Sequence, residues 1–169
     1  MTIAFQNISL YPQGILVELL TQAYAADPRI AAADMSEWIA FDRFFFENPR
    51  IADRCGFITT LADVPIGFVS WDPRKAPASV QIGHNCILPS YRGRGYGKAQ
   101  MLHAVQCMRD WNPDVIDVTT GDTPFYAPAR RMYEAVGLVR VRTYTKPDVP
   151  VTALVDYQLR CNGGALAED

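Results

Sequence analysis

Apolar residues recur along the chain with two different spacings, one typical of strands and one typical of helices. Residues 3–10 carry the first strand pattern, and two stretches with helical spacing follow. The first helix should stop near Pro28, because a residue before proline avoids helical backbone angles. The second is predicted to begin at about Asp34, an N-cap type with Glu37 three residues on, and to end before Pro49.

The middle and end of the chain alternate between strand and helix patterns. Residues 56–61 and 65–71 predict a hairpin, and the almost uncharged run 79–88 predicts a central strand covered on both faces. Three glycines then lead into a helix. The remaining predicted elements are a strand at 115–119, a helix at 128–136 that ends at Gly137, and alternating strands at 138–144 and 151–160.

This order, β-α-α-β-β-β-α-β-α-β-β, predicts one α/β (α+β) domain over residues 1–161 with a frayed tail at 162–169. The chain has 169 residues, 49% of them hydrophobic, which suffices for one core. Its formal net charge of −2 gives no basic field that would favour nucleic acid or an anionic membrane as a partner.

The cysteines and histidines are too few and too widely spaced for a metal site. The sequence shows neither a signal peptide nor an apolar run long enough to span a bilayer. We therefore expect a cytoplasmic protein with free thiols and without metal.

The most informative stretch is the segment Arg92-Gly93-Arg94-Gly95-Tyr96-Gly97-Lys98, where the predicted central strand turns into a helix. Alternate glycines let backbone N–H groups approach a ligand, and the helix dipole and the basic side chains add positive charge. The pattern predicts a pyrophosphate site, although its spacing matches neither a Rossmann loop nor a P-loop. Two other interpretations stay open, a simple connecting turn and an Arg-Gly segment that contacts RNA.

A second motif lies further along the chain. The segment Ala129-Arg130-Arg131-Met132-Tyr133-Glu134-Ala135-Val136-Gly137-Leu138 follows the pattern Ala-x-x-x-Tyr-x-x-x-Gly-Phe, with leucine in the last position. With both motifs, the chain from about residue 79 to 144 resembles the GNAT superfamily of acyl-CoA N-acyltransferases. The resemblance implies a mixed, mostly antiparallel, twisted sheet of about seven strands flanked by about four helices.

The resemblance also implies how acetyl-coenzyme A, the co-substrate, is held. The loop residues Arg92, Gly93, Arg94, Gly95, Tyr96, Gly97 and Lys98 would cradle its pyrophosphate. Tyr126 and Arg130 would be further coenzyme contacts, although Tyr126 stands where the family often has asparagine.

The implied fold has a notch beside the central strand. The strand that ends in Cys86, Ile87 and Leu88 would splay from the strand at 115–119, and the pantetheine arm would enter the gap. Backbone groups of these three residues would hold the arm and the thioester carbonyl, and would stabilise the oxyanion as it forms.

Acetyl transfer to an amine also needs groups that move protons. An alkylamine has a pKa of about 10.4 and arrives protonated, so a base is required. His84 shares a strand face with Cys86, and the resemblance implies that it acts as the base; a hydrogen-bonded core histidine is the alternative. The resemblance gives Tyr133 the role of acid for the leaving thiolate, with core packing as the alternative. A covalent acetyl-cysteine at Cys86 is not expected.

The resemblance implies that the acceptor lies near residues 24–34 and the turn at 144–150. Asp27 and Asp34 are candidates to attract a cationic amine. An aromatic group is a candidate apolar wall, although such spacing is more often core: Trp38, Phe41, Phe44 and Phe45.

We therefore expect an N-acetyltransferase that transfers the acetyl group directly to a primary amine of a small molecule or peptide. Two alternatives remain at this stage, a non-catalytic coenzyme A sensor of the same fold and an RNA-binding module. Homodimer formation is left open.

Overall fold

The computed structural model describes residues 2–147 and 153–162. Within them lie seven strands and five α-helices. Their bounds, in chain order, are β1 Ile3–Gln6, α1 Ile15–Ala23, α2 Pro28–Glu47, α3 Pro49–Arg54, β2 Gly56–Leu61, β3 Val64–Asp72, β4 Ser79–Ile87, α4 Tyr96–Arg109, β5 Val115–Gly121, α5 Ala127–Ala135, β6 Val139–Tyr144 and β7 Leu154–Arg160.

The strands form a seven-stranded sheet in the order β1-β2-β3-β4-β5-β7-β6, so β4 is the central strand, as predicted. Pairing is antiparallel between β1 and β2, β2 and β3, β5 and β7, and β6 and β7. The pairing of β4 with β5 is parallel and joins Ser79–Gln81 to Val115–Asp117. The mixed, mostly antiparallel sheet confirms the predicted fold class.

The helices between β1 and β2 differ from the prediction in number and in start. The chain has three helices there rather than two, because Pro49 occupies the first turn of α3 as well as ending α2. The predicted start of α2 at Asp34 was wrong. Asp27 is the N-cap, its carboxylate accepts a hydrogen bond from the Arg29 N–H at 3.2 Å, and Pro28 takes the first helical position.

The predicted first strand is also shorter than expected. It ends at Gln6, and a 3₁₀ helix covers Ile8–Leu10. Of the predicted tail, only Asn162 belongs to the described residues, and its side-chain amide donates to the Asp114 carboxylate at 2.7 Å. Residues 163–169 lie outside the described part of the chain, as do residues 148–152.

The chain divides into two compact units, Met1–Trp71 with Gly83–Gln100 and Asp72–Ile82 with Met101–Asp169. The divisions fall inside β4 and inside α4, so both elements contribute residues to each unit. The interpretation of residues 1–161 as one domain stays a prediction.

The first unit is organised around α1 and α2. Its interior contains Trp38, Phe45 and Phe68, each at most 5% exposed. Asp42 of α2 is buried, and its carboxylate accepts hydrogen bonds from the N–H groups of Gly14 and Leu16 at 2.9 and 3.1 Å. These N–H groups lie at the start of α1, where a helix has no internal partners for them, so α2 caps α1 through one carboxylate.

In the second unit, β5 pairs with β7 along its whole length and β6 pairs with β7 on the other side. Ile116, Val155 and Tyr157 are fully buried in this part of the sheet. Helix α5 ends at Ala135, and the predicted glycine follows its C-cap: Gly137 has a φ of 98°, which suits glycine, and the Leu138 N–H donates to the Tyr133 carbonyl at 3.0 Å.

Candidate active site

The glycine loop after β4 has the open backbone that the sequence predicted. Gly93 and Gly95 have φ values of 74° and 84°, which L-residues with a side chain rarely adopt. A Cβ atom at either position would meet no other atom within 4 Å, so the loop backbone is open to a ligand. Arg94 and Lys98 are exposed and form no ion pair with any described residue. The loop therefore presents free positive charge beside accessible backbone.

Arg92 has a different role in the loop from the one that its charge suggested. Its Nε donates to the Ile87 carbonyl and its Nη2 to the Ala23 carbonyl, both at 2.8 Å. The guanidinium thus holds the end of β4 and the end of α1 in place. Arg92 shapes the loop, and its remaining donors are those that a phosphate contact would use.

The end of β4 is held by a buried amide. Gln100 of α4 is 1% exposed, and its Nε2 donates to the carbonyls of Phe68 and Cys86 at 3.0 and 3.3 Å. Its Oε1 accepts from the Thr59 hydroxyl at 2.6 Å. A Cβ atom on Gly67 would collide with the Cys86 carbonyl oxygen, so β3 and β4 approach closely here. Gln100 therefore fixes the backbone at the predicted thioester site from the helix that follows the loop.

Most backbone polar groups of residues 86–88 are already bonded within the protein. Besides the Cys86 and Ile87 carbonyls, the Leu88 N–H donates to the Ile66 carbonyl and the Leu88 carbonyl accepts from the Tyr91 N–H. The contact of this segment's backbone with the thioester carbonyl stays a prediction.

The Cys86 thiol is buried and is not a nucleophile at neutral pH. Burial raises its pKa to about 12, and a hydrogen bond to the Phe68 backbone and the charge of Arg92 only partly oppose this. A thiol with such a pKa is almost entirely protonated near pH 7, and a thiolate is the reactive form. This agrees with the expectation of no acetyl-cysteine intermediate.

His84 lies on β4 with its imidazole against α2. Its Nε2 is 3.1 Å from Oε1 of Glu37, and its ring centroid is 4.9 Å from that of Phe41. The Ser70 hydroxyl of β3 donates to the His84 carbonyl at 3.0 Å and so fixes its backbone. The imidazole is 29% exposed, which keeps it accessible to a substrate.

The two predicted acceptor carboxylates have different surroundings. Asp27 caps α2 and pairs with Arg29 at 2.9 Å, so its charge is already balanced. Asp34 lies one turn before Glu37 on α2. Burial raises the pKa of Asp34, the Glu37 charge raises it further, and the positive charge of His84 opposes both. Asp34, Glu37 and His84 therefore form one electrostatic group within the first unit.

The residues of the predicted aromatic wall lie in different surroundings, and their role as a wall stays a prediction. Trp38 and Phe45 belong to the core, whereas Phe44 is 49% exposed. Phe41 contacts the His84 ring, and Tyr24 contacts the Trp38 ring at 5.5 Å between centroids. Part of the second predicted acceptor segment, residues 148–150, lies outside the described residues.

The other predicted site residues lie in the second unit. Tyr133 of α5 is 3% exposed and its ring centroid is 6.0 Å from that of Tyr157. Arg130 donates through Nη1 to the carbonyls of Gly121 and Thr123 at 2.7 and 3.0 Å. The Tyr126 ring lies directly over Gly121, where a Cβ atom would collide with it. Tyr126 and Arg130 thus brace the end of β5.

The structure therefore brings His84, residues 86–88 and the glycine loop together in the first unit, and Tyr126, Arg130 and Tyr133 in the second. The combination of both sets in one active centre stays a prediction.

Two residues that the sequence analysis missed are Glu37 and Gln100. Glu37 was read as a capping residue because the start of α2 was placed at Asp34. With the start at Pro28, positions 34, 37 and 41 share one helix face, which is the signal that would have found Glu37.

Two searches of the described residues gave no further group. No three His, Cys, Asp or Glu side chains among them are placed to hold a metal ion. None of the helices in residues 2–147 and 153–162 is long and apolar enough to cross a membrane.

Comparison with known proteins was made for sequence and for structure. Residues 16–138 match the model of the Acetyltransferase (GNAT) family. No curated protein matches the sequence.

Many solved structures are similar to the chain in fold. A GNAT-family protein from Desulfovibrio desulfuricans aligns with a TM-score of 0.75 at 18% identity, covering 94% of this chain and 99% of the other. YncA from Salmonella typhimurium, solved with its cofactor acetyl-CoA, aligns with a TM-score of 0.75 at 14% identity, covering 99% and 97%. A chain of the NatC complex, bound to Gag peptide and CoA, aligns with a TM-score of 0.65 at 18% identity, covering 96% and 100%.

Proposed function

The chain belongs to the acetyltransferase (GNAT) family and is an acyltransferase with acetyl-coenzyme A as co-substrate, and we propose that its acceptor is a primary amine that arrives as an ammonium ion. The observation that carries this proposal is the contact of the His84 imidazole with the Glu37 carboxylate at 3.1 Å, with Asp34 on the next turn of the same helix. These carboxylates attract a cation, and the imidazole accepts a proton from it.

Proton transfer is the step for which an amine needs the enzyme's side chains. The ordinary pKa of an alkylammonium group is about 10.4, so the nitrogen lone pair is occupied near neutral pH. His84 takes one proton from the ammonium, directly or through one water, and the neutral amine that results attacks the acetyl carbonyl. An imidazole on a strand whose backbone is fixed by Ser70 keeps its position during this step.

The glycine loop fits a pyrophosphate. Gly93 and Gly95 leave the backbone open, and Arg94 and Lys98 supply charge that no described carboxylate neutralises. Acetyl-coenzyme A supplies the acetyl group as a thioester. The N–H groups of Cys86 and Ile87 are proposed to bind the thioester carbonyl and to stabilise the oxyanion.

The pantetheine arm is proposed to lie along β4 beyond its pairing with β5. That pairing ends at Gln81, whereas β4 continues to Ile87. Strand groups beyond the end of a ladder need partners, and an extended arm with two amide groups provides them.

Tyr133 is proposed to donate the proton to the departing thiolate. The family motif supports this role, and the position of the phenol on a buried helix face keeps bulk water away from it. Arg130 and Tyr126 are proposed to contribute to coenzyme binding through the end of β5 that they brace, where Arg130 donates to the Gly121 and Thr123 carbonyls.

The test is a panel of acceptors that share one carbon skeleton and differ in one group: a primary amine, the trimethylated ammonium and the alcohol. A short peptide with a free N-terminal amine is included because the similar NatC chain is bound to a peptide. Release of coenzyme A and the mass of the product are measured. We expect acetylation of primary amines alone. Equal turnover of the alcohol, or acetylation only of alcohols or thiols, would contradict the amine proposal.

A further inference from the structure

The contact between Glu37 and His84 joins residues 47 positions apart in the sequence. Glu37 is mostly exposed, with 68% of its side-chain area in solvent, so the contact is not a by-product of core packing. It uses one ring nitrogen, Nε2, and one carboxylate oxygen, Oε1. The Glu37 carboxylate contacts Nε2, so it restricts which nitrogen of His84 can accept a proton from a substrate.

The chemistry of the pair decides the tautomer. An ionised carboxylate only accepts hydrogen bonds, so the hydrogen of the neutral imidazole must be on Nε2 to satisfy the contact. The lone pair is then on Nδ1. The ring is held in this orientation from α2 by Phe41, and the backbone is held from β3 by the Ser70 hydroxyl. The neutral imidazole is therefore oriented with a defined proton-accepting atom.

We infer that Glu37 is a positioning residue that keeps Nε2–H directed at α2 and leaves Nδ1 of His84 as the atom that accepts the proton of the amine. One N–H bond of the ammonium breaks and its proton moves to Nδ1, which frees the nitrogen lone pair to form the bond to the acetyl carbon. The carbon–sulfur bond then breaks, and the nitrogen releases its second proton as the departing thiolate is protonated. The imidazolium that results donates from Nε2 to the Glu37 carboxylate, so its positive charge is balanced. This inference rests on the proposed function.

The charges around the imidazole agree with this role. Two carboxylates of α2, those of Glu37 and Asp34, interact with His84, and β3 contributes the uncharged Ser70 hydroxyl. Among the described residues, Glu37 is the one that makes a hydrogen bond to the ring. Asp34 is partly buried one turn away and contributes through its charge, so the two carboxylates have separable effects.

Two substitutions of Glu37 separate the position of the hydrogen from the charge. Glu37→Gln keeps an oxygen that accepts from Nε2–H but removes the negative charge, whereas Glu37→Ala removes both. Glu47→Gln is the matched control, because Glu47 ends the same helix, is exposed and is not part of the site. The thermal midpoint of each variant is measured to show that it folds.

Steady-state rates at neutral pH give the first readout. For Glu37→Gln we expect kcat to fall about tenfold, because the imidazolium loses a charged acceptor. Glu37→Ala should lose more, while the KM for acetyl-coenzyme A stays unchanged in both. Glu47→Gln should match the parent.

The second readout is the nitrogen NMR spectrum of the imidazoles, which is simple because the chain has two histidines. The parent should show the hydrogen of His84 on Nε2, and a hydrogen on Nδ1 in the parent would overturn the inference. Parental kcat in both Glu37 variants would overturn it too, and if His84→Ala is slow in the same assay, the proposed function stands. Full activity of His84→Ala would remove the proposed base and the inference together.

Discussion

His84 and Cys86 are two residues apart on β4, and strand alternation places them on one face, yet their surroundings are opposite. The imidazole is 29% exposed and contacts a carboxylate, whereas the thiol is buried and its pKa is raised to about 12. Glu37 reaches the first from a helix surface, and Gln100 fixes the second from a buried position. The exposed position suits proton exchange with a substrate, and the buried one suits a rigid backbone.

This difference favours direct transfer over a covalent intermediate. A ping-pong mechanism through cysteine would need the thiolate at the buried position, where burial opposes ionisation. A ternary complex needs only a base at the accessible position and fixed N–H donors at the buried one. We therefore propose side-chain chemistry for His84 and backbone chemistry for Cys86.

The largest effect should follow His84→Ala. General-base assistance is typically worth about 100- to 10,000-fold, so we expect kcat/KM at neutral pH to fall at least about tenfold and its acid limb to disappear. Coenzyme A affinity, measured by calorimetry, should remain that of the parent. A variant with parental rates and the same acid limb would show that His84 is not the base.

Gly95→Val should act on the cofactor without touching either β4 position. The residue has a φ of 84°, which valine avoids, and its Cβ would enter the open space in front of the loop. We expect coenzyme A affinity to fall by about tenfold or more, since the backbone donors can no longer approach the pyrophosphate. Calorimetric titration measures this.

Combining Gly95→Val with Arg92→Ala should weaken coenzyme A further. The single variant is the sharper test, because loss of Arg92 also releases the ends of α1 and β4. Unchanged affinity in a folded Gly95→Val protein would refute the assignment of the loop.

Tyr133→Phe asks whether a buried group can still move a proton. The phenol is 3% exposed, so by burial alone it resembles Cys86 rather than His84. If it protonates the leaving thiolate, kcat should fall about tenfold while the KM for acetyl-coenzyme A changes little. An unchanged kcat would leave Tyr133 with a packing role. It would also support the view that an exposed position, such as that of His84, is needed for proton exchange.

The Gln100→Leu variant tests whether the buried Gln100 amide fixes the backbone at Cys86. The substitution removes the hydrogen bonds that the amide makes to the Phe68 and Cys86 carbonyls and to the Thr59 hydroxyl, which costs about 1–3 kcal/mol in the free energy of unfolding. The KM for acetyl-coenzyme A should rise, with kcat less affected. Denaturant titration and kinetics measure the two effects.

Gln106→Leu is the matched control for Gln100→Leu, because Gln106 is exposed on the same helix. It should change neither quantity. A Gln100 variant that behaves like this control would show that the buried amide does not set the cofactor site.

The smallest effect should follow Cys86→Ala. The side chain is buried, so removing its sulfur should cost about 1 kcal/mol in stability, and turnover should stay within about twofold of the parent because the backbone N–H survives. Mass spectrometry of the parent after incubation with acetyl-coenzyme A should find no acetyl group on Cys86. Loss of activity in a stable variant would reopen the covalent route.

Local patterns predicted the fold well where one signal dominates. The uncharged run at 79–88 indicated the central strand, and Gly137 marked the end of α5, because a positive φ there needs glycine. The start of α2 was misread, since both Asp27 and Asp34 are N-cap types and only the first is followed by proline.

The site was predictable as far as its motifs extend. Glycines, loop charges and the strand histidine are visible in the sequence, whereas the partners of His84 and Cys86 come from 47 and 14 positions away. Such contacts depend on how helices pack against a sheet, which hydrophobic periodicity does not specify. The sequence assigned Arg92 and Arg130 to the cofactor by charge, but both also bind backbone carbonyls.

The carboxylate of Asp42 links the opening of two helices. The first N–H groups of most helices exchange their hydrogen with water freely, since they bond nothing in the helix. In α1, the N–H groups of Gly14 and Leu16 are bonded to a side chain of α2 that is 2% exposed. Water reaches them only when α2 moves away, so the start of α1 cannot fray by itself and exchanges as one cooperative unit with the middle of α2.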